Sequence, residues 1–429
     1  LADVLIVAAP SSGSGKTLIT LALLRALKIA GLRVASAKVG PDYIDPRFHE
    51  AASGRPCVNI DPWAMREELV TALLAAQQED ADLVLIEGVM GLFDGPDKGK
   101  GSTADLAKQL GIPVVLVVDA FHQSQSVAAL VHGFATYRKG VSVSGVILNR
   151  VASERHQQVL IGALPKDLVL GAVPRLSGLE IPSRHLGLKQ AQELKGLQDF
   201  IARAAELAAS SIDLEKLRSV ARPVNVDPTL PKFLPPLGQR IAVANDEAFG
   251  FAYEHILGSW RAQGAELRFF SPLADKAPAA DADAIFLPGG YPELHASKLS
   301  GNSRFLDGLG QAAARGALIY GECGGFMVLG RYLIDATGKT HPMAALLPHA
   351  TSFARRKLQL GYRVLKHKGA LPFPLKLRGH EFHYSSLAEQ VRGDHLFTMH
   401  SAAGESLGPQ GLRIGRIMGS YAHIIDRED

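Results

Sequence analysis

Six short apolar runs punctuate the first half of the chain: VLIVAA (4–9), RVASAKV (33–39), DLVLIEGV (82–89), PVVLVVDA (113–120), VSGVILNR (143–150) and LVLGAVP (168–174). They are continuously hydrophobic rather than alternating, and longer helix-like segments separate them. Strands of that kind are buried on both faces, in parallel sheets covered by helices on either side. The first half is therefore expected to be a doubly wound α/β domain. The segment ARPVNVDPTLPKFLPPLGQ (221–239) carries five prolines, which block both helix propagation and central strand pairing, so it reads as an extended linker. Beyond it the rhythm restarts with RIAVAND (240–246), AELRFFSP (265–272), DAIFLPGG (283–290) and GALIYGECGG (316–325). Two doubly wound α/β domains are expected, at 1–220 and 240–429, a division that 429 residues accommodate at about 150 residues per domain.

Composition excludes several classes of partner. Lys and Arg number 46 against 42 Asp and Glu, a formal charge of +4 with no long block of like charges, so neither a nucleic-acid arm nor a polybasic membrane patch is expected. Residues 112–118 form the longest strongly apolar stretch and stop at Asp119, far short of the ~20 residues that span a bilayer. The opening LADVLIVAAP has no basic start or small-residue cleavage site, so no secretory leader is expected. Two cysteines, Cys57 and Cys323, make no disulfide framework or zinc ladder, and a cytoplasmic location fits them best.

The first apolar run leads directly into APSSGSGKT (9–17). Between a strand and a helix, Gly13 and Gly15 let successive amides of Ser12, Gly13, Ser14 and Gly15 turn inward, and the helix start adds its positive end. Lys16 would reach the β and γ phosphates of ATP, and the Thr17 hydroxyl would bind Mg²⁺. Pro10 stands where the consensus G-x-x-x-x-G-K-[ST] has its first glycine, so this is a variant phosphate loop. Mg²⁺ also needs carboxylates, and Asp45 in KVGPDYIDPRFH and Glu87 at the end of DLVLIE are the candidates. The glycine-rich stretch 87–111 follows a strand end, where α/β sheets place ligands, and offers Asp94, Asp97 and Ser102 to that crevice.

A different chemistry is written at YGECGGFMVLG (320–330), whose G-x-nucleophile-x-G form is that of a sharp strand-to-helix elbow with Cys323 at its tip. A helix amino terminus would lower the thiol pKa. LPGGYPEL (287–294) ends an earlier strand in Gly289 and Gly290, with Tyr291 next, and could supply an oxyanion-hole amide beside that of Gly324. The clearest general base among 15 histidines is His423 in GSYAHIID. His380, Glu381 and His383 in LRGHEFHYSSL form a competing cluster, but they lack the H-E-x-x-H spacing of a metal site and read as satisfied polar residues around an active-site loop.

Taken in order, APSSGSGKT, KVGPDYIDPRFH, EGVMGLFDG, GSTADLAKQLGIPVVLVVDA, GVILNRV, LPGGYPE, GECGGFMVLG, GHEFHYS and GSYAH span essentially the whole chain. The set resembles the glutamine-hydrolysing amidotransferases of corrin biosynthesis, the group of the cobyrinic and hydrogenobyrinic acid a,c-diamide synthases. That resemblance implies a dethiobiotin-synthetase-type ATP domain followed by a class I glutamine amidotransferase domain. It implies that Cys323 attacks glutamine and that His423 raises its nucleophilicity. In the first half it implies that Thr17, Asp45 and Glu87 hold Mg²⁺, that Asn149 contacts adenine, and that Lys38, Tyr43, Asp94 and Asp97 face a corrinoid acceptor. One departure stands out: the usual His-x-Glu is replaced by His423 followed by Ile424, Ile425 and Asp426, so the third member of the triad is absent or supplied otherwise.

The expected activity is ATP-dependent amidation of the a and c carboxylates with ammonia from glutamine, in an enzyme that binds ATP, glutamine and a corrinoid and is a homodimer candidate. Three alternatives stay open at this level. They are a cobyric acid synthase or nickel-sirohydrochlorin diamide synthase, a partitioning-type P-loop ATPase fused to an inactive amidotransferase-like module, and a cysteine hydrolase with a nucleotide-regulated domain.

Overall fold

The computed structural model describes residues 1–96, 100–175, 178–179, 181, 183–184, 187–226, 231–388 and 393–428. The chain divides into two compact units, Leu1–Trp63 with Glu67–Pro231, and Ala64–Arg66 with Lys232–Asp429.

In the first unit, β1 (Asp3–Ala8), β2 (Val34–Val39), β3 (Cys57–Ile60), β4 (Leu83–Glu87), β5 (Val114–Asp119), β6 (Val143–Val151) and β7 (Val169–Pro174) lie parallel in the order β3-β2-β4-β1-β5-β6-β7. Arg222–Pro223, inside the proline-rich segment, adds an antiparallel rung to β1. All six apolar runs are strands. β3 is an additional one: CVNI is only four residues long and pairs solely with β2 at the sheet edge, so it leaves little periodic trace. The helix α1 (Lys16–Ile29) buries Ile19, Leu23 and Leu27 in one core with Phe48 of α2 (Asp45–Ser53) and with Ile201 and Ala205 of the helix Leu197–Ser211. Each such leucine contributes about 1.5–3 kcal/mol on burial. Strand order reverses around β1, so the loops leaving β1, β2 and β4 open side by side at one sheet edge.

The second unit holds a six-stranded sheet ordered Glu266–Phe270, Arg240–Ala244, Ala284–Leu287, Leu318–Glu322, Ile417–Ser420 and Leu412–Ile414, parallel except for the last strand. The apolar runs account for its first four strands. A second sheet is wholly antiparallel: Ser406–Gln410, Phe397–Ser401, Gln359–Lys366, Lys376–His383 and His423–Arg427. Its strands mix apolar and polar residues, and several have no clean period, which is why it escaped the sequence pattern. Among the described residues no helix is long and apolar enough to cross a membrane.

The elbow after Leu318–Glu322 packs against its neighbour strand so tightly that a Cβ on Gly325 would fall on the backbone oxygen of Leu287. Gly310, within the helix Ser303–Ala314, faces open space. In urea denaturation, Gly325→Ala is expected to lose about 1–3 kcal/mol of stability, and Gly310→Ala to gain about 0.5–1 kcal/mol.

Candidate active site

The loop between β1 and α1 turns through Gly13 at φ +80° and Gly15 at φ +90°, a region that residues with a Cβ rarely enter. Gly15 is doubly constrained, because a Cβ there would collide with the Asn149 side-chain amide. Asn149, near the end of β6, donates from Nδ2 to the Ser14 carbonyl at 2.9 Å and accepts from the Arg150 amide. The side chain assigned to adenine thus braces the phosphate loop from behind. Ser14 Oγ closes the turn on the Ser11 carbonyl at 2.9 Å, while Ser12 is exposed. A cavity of about 570 Å³ opens here, lined by Gly13, Lys16, Thr17, Asn149, Phe121 and Arg175, with the Arg175 guanidinium 4.5 Å above the Phe121 ring. Phe121 and Arg175 carry no motif, and only the meeting of the β5 and β7 ends brings them together.

Lys16, the first residue of α1, reaches the Met90 carbonyl at 2.6 Å, and burial lowers its pKa. Thr17 Oγ1 lies 2.7 Å from Glu87 Oε1 and 3.2 Å from Asp45 Oδ2. Three oxygens from the starts of α1 and α2 and the end of β4 therefore converge. Such a hard-oxygen set suits Mg²⁺, which takes one or two carboxylates and completes its shell with phosphate oxygens and water. Among the described residues no group of three His, Cys, Asp or Glu side chains could hold a metal alone.

Lys38 sits inside this cluster. Its Nζ is 2.6 Å from Asp45 Oδ2 and 2.8 Å from Glu87 Oε1, and the side chain is only 4% exposed. Parallel register places Lys38 directly beside Glu87. A second cation comes from His49, which α2 carries: Nε2 lies 2.7 Å from Glu87 Oε2, and Nδ1 lies 3.7 Å from the Cys57 sulfur. Burial opposes the charged imidazole, yet the Cys57 and Glu87 contacts prevail and raise His49 to about 10. Burial opposes the Glu87 charge too, but Lys38 and His49 hold it below the usual carboxylate range. For Asp45, burial and the Asp42 charge outweigh Lys38 and raise it to about 6. His49 carries no sequence motif; its place one helical turn beyond Asp45 is the only hint.

Of the other residues assigned to the acceptor, Tyr43 is half-buried in the loop between β2 and α2. Asp94 is exposed and accepts from the Gly91 amide at 2.8 Å. Asp97 lies outside the described residues. Ser102 is committed to its own helix, since it caps Thr103–Leu110 in a reciprocal capping box with Asp105.

In the second unit three adjacent parallel strands end at one edge. Ala284–Leu287 leads into Gly289, Leu318–Glu322 into Cys323, and Ile417–Ser420 through Tyr421 into His423. Cys323 has φ +46° and ψ −104°, a strained conformation for a non-glycine residue, and its amide donates to the Ser420 carbonyl at 2.8 Å. A Cβ on Gly289 would collide with the His423 ring and lie 3.2 Å from Cys323 Cβ, so imidazole and thiol flank the same glycine. A Cβ on Gly324 would stand 3.0 Å from the Gly290 nitrogen, so the elbow and the Gly289–Gly290 turn pack closely against one another. The Tyr291 ring is buried edge-on against Phe251.

The structure corrects the expected effect of the helix terminus on the thiol. The helix after Cys323, Gly324–Leu329, has only six residues, and Cys323 is buried. Burial pushes its pKa well up, and the nearby Glu293, Glu381 and Glu322 carboxylates add to the rise against the Gly324 amide. Burial likewise lowers His423 to about 3, with His380 and His383 adding to the effect. The resting pair is neutral. His380, Glu381 and His383 lie on the strand Lys376–His383 rather than on a loop. Glu381 accepts from Arg363 at 2.7 Å and lies 3.2 Å from His383, and His380 pairs with His423 across the sheet.

His49 makes a prediction about stability. Its folded pKa of about 10 exceeds the ordinary 6.5, so its contribution is fully present below pH 6.5 and is lost as pH rises through 10. Urea midpoints of the wild type should therefore fall between these values, and His49→Gln should flatten that decline.

Comparison with known proteins agrees with both halves. Residues 5–188 match the CobQ/CobB/MinD/ParA nucleotide binding domain, and residues 240–429 match the CobB/CobQ-like glutamine amidotransferase domain. Proteins named hydrogenobyrinate a,c-diamide synthase are similar over nearly the whole length. One from Brucella abortus is 57% identical, covering 98% of both chains; one from Rhizobium meliloti is 52% identical, covering 98% of this chain and 99% of its own; and one from Mesorhizobium japonicum is 47% identical, covering 99% of both. The chain belongs to the hydrogenobyrinate a,c-diamide synthase family, in which a nucleotide-binding domain precedes a glutamine amidotransferase domain.

Proposed function

We propose that the protein is an ATP-dependent carbon–nitrogen ligase that converts the a and c carboxylates of hydrogenobyrinic acid to amides, with glutamine as nitrogen donor. The observation that carries this reading is the conjunction, in a chain 57% identical to such a synthase over 98% of its length, of a phosphate loop beside paired carboxylates and a strained cysteine beside a histidine. The functional division follows the proline-rich segment, with synthetase chemistry in 1–220 and glutaminase chemistry in 240–429.

In the glutaminase half, Cys323 transfers its proton to His423 and attacks the glutamine carboxamide carbon. The amides of Gly324 and of the Gly289–Gly290 turn stabilise the oxyanion, and Tyr291 borders the glutamine site. His423 returns the proton to the departing nitrogen, which leaves as ammonia, and water then cleaves the thioester to glutamate. The buried neutral pair suits this sequence, since charge separates only when a substrate is present to compensate it.

In the synthetase half, Ser12, Gly13, Ser14, Gly15, Lys16 and Thr17 hold the triphosphate and Asn149 supports the nucleotide. Thr17, Asp45 and Glu87 would hold Mg²⁺, which when bound neutralises phosphate charge. Lys38, Tyr43, Asp94 and Asp97 belong to the acceptor side. A corrin carboxylate oxygen attacks the γ phosphorus and ADP leaves; ammonia then adds to the acyl carbon and phosphate leaves. The acyl phosphate is needed because a free carboxylate is a poor electrophile.

The test separates the two activities. Cys323→Ala should lose glutamine-dependent amidation by on the order of 10³-fold or more while ammonium-dependent amidation persists, and Lys16→Ala should lose both. Mass spectrometry of products from hydrogenobyrinic and cobyrinic acids should show two carboxyl-to-amide replacements on the metal-free corrin. A Cys323→Ala enzyme that ammonium cannot rescue would defeat this assignment of roles.

A further inference from the structure

The His-x-Glu pattern common in class I glutamine amidotransferase domains of the triad type is absent here, since Ile425 stands two residues after His423. Asp426, one residue further, is committed elsewhere. It accepts from the Arg66 backbone amide and Nε, each at 3.0 Å, and from Nη2 at 3.2 Å, and its side chain is 1% exposed. Glu381 is held by Arg363 and His383. Both carboxylates are thus engaged by other groups, and of the two the Glu381 charge also acts on His423.

We propose that Glu322, the residue immediately before the nucleophile, is the positioning residue that orients the His423 imidazole. Its Oε1 accepts from the Ile424 amide at 3.0 Å and from the Tyr320 hydroxyl at 3.1 Å. Those two anchors hold the carboxyl group so that Oε2 stands 3.7 Å from His423 Nδ1. The Glu322 and His423 side chains are 5% and 1% exposed, so no bulk water screens the contact. Topology explains how a residue adjacent to Cys323 reaches the far side of the imidazole. Glu322 and Ser420 are register partners on neighbouring parallel strands, and the chain turns from Ser420 through Tyr421 and Ala422 to lay His423 and the Ile424 amide over the Glu322 side chain.

With hydrogen on Nδ1 directed toward Oε2, Nε2 is left as the proton acceptor. Burial raises Glu322 to about 8, and an imidazolium forming 3.7 Å away favours its ionised form; with Glu322 ionised, transfer from the Cys323 thiol gives a thiolate, an imidazolium and a carboxylate, with the net charge unchanged. The imidazolium forms between two anions, which offsets the burial that otherwise disfavours it. Cys323 thus has its orienting carboxylate one residue away in sequence, and the conventional position after the histidine becomes dispensable.

This inference rests on the reading of Cys323 and His423 as the glutaminase pair. In the intact enzyme, Glu322→Gln keeps acceptors for Ile424 and Tyr320 but removes the charge. It is expected to lower kcat for glutamine hydrolysis about 10²–10⁴-fold, leave KM for glutamine within about threefold, and leave ammonium-dependent amidation unchanged. Glu322→Asp should recover part of the lost kcat. If Glu322→Gln turns over glutamine at the wild-type rate while Cys323→Ala is dead, the role of Glu322 is overturned and the nucleophile stands. If Cys323→Ala still hydrolyses glutamine, the underlying reading falls. Parallel loss of both activities in Glu322→Gln, or a change confined to KM, would also overturn the proposal, since each marks a role other than orienting the base.

Discussion

Parallel strand pairing governs where chemistry can occur in this protein. A parallel strand must be reached by a crossover, so both faces of the sheet are covered by helices or loops and the strand interiors have to be apolar. Polar side chains are then concentrated at the carboxyl ends, where strands give way to turns. Both compact units obey this rule. Lys38 and Glu87 lie at the ends of adjacent strands in the first, and Cys323 and the turns to Gly289 and His423 follow adjacent strands in the second. The distances between reacting groups are consequences of strand spacing and register rather than of sequence separation.

The two sites treat buried charge in opposite ways. In the first unit two carboxylates share one buried lysine, and a buried histidine contacts the second oxygen of Glu87. The cluster remains ionic because each charge has an opposite charge within hydrogen-bond range, which offsets the cost of desolvation. In the second unit the thiol and imidazole are buried without a permanent counter-ion pairing of that strength, and burial favours their neutral forms. The difference suits the chemistry proposed for each. A site that handles a highly charged nucleotide benefits from preset ions, whereas a proton-transfer site benefits from a pair that ionises only during reaction.

Several features were readable from residues alone because they are local. Apolar runs marked every parallel strand of the first sheet except the short edge strand β3, and the first four strands of the six-stranded sheet. Gly13 and Gly15 require positive φ, and GSGKT between a strand and a helix admits few uses. The G-E-C-G-G elbow is likewise local, since its glycines answer clashes within a single turn. Less legible were groups recruited by neighbours remote in sequence. His49 matters because α2 aims it at Glu87 from the side opposite Lys38. Phe121 and Arg175 meet only where β5 and β7 end. Arg66 precedes its partner Asp426 by hundreds of residues, and nothing in its own surroundings announces that it belongs to the second compact unit.

The amino-acid sequence by itself determined two parallel α/β sheets, a phosphate-binding turn, a cysteine elbow and membership of an amidotransferase family, because each is encoded in short-range periodicity or in backbone freedom within a few residues. Only the tertiary structure decided which buried ions neutralise one another, whether the thiol rests protonated, and which carboxylate faces His423. Those properties depend on burial and on distances of a few ångströms between side chains from different strands, and no spacing along the chain specifies them.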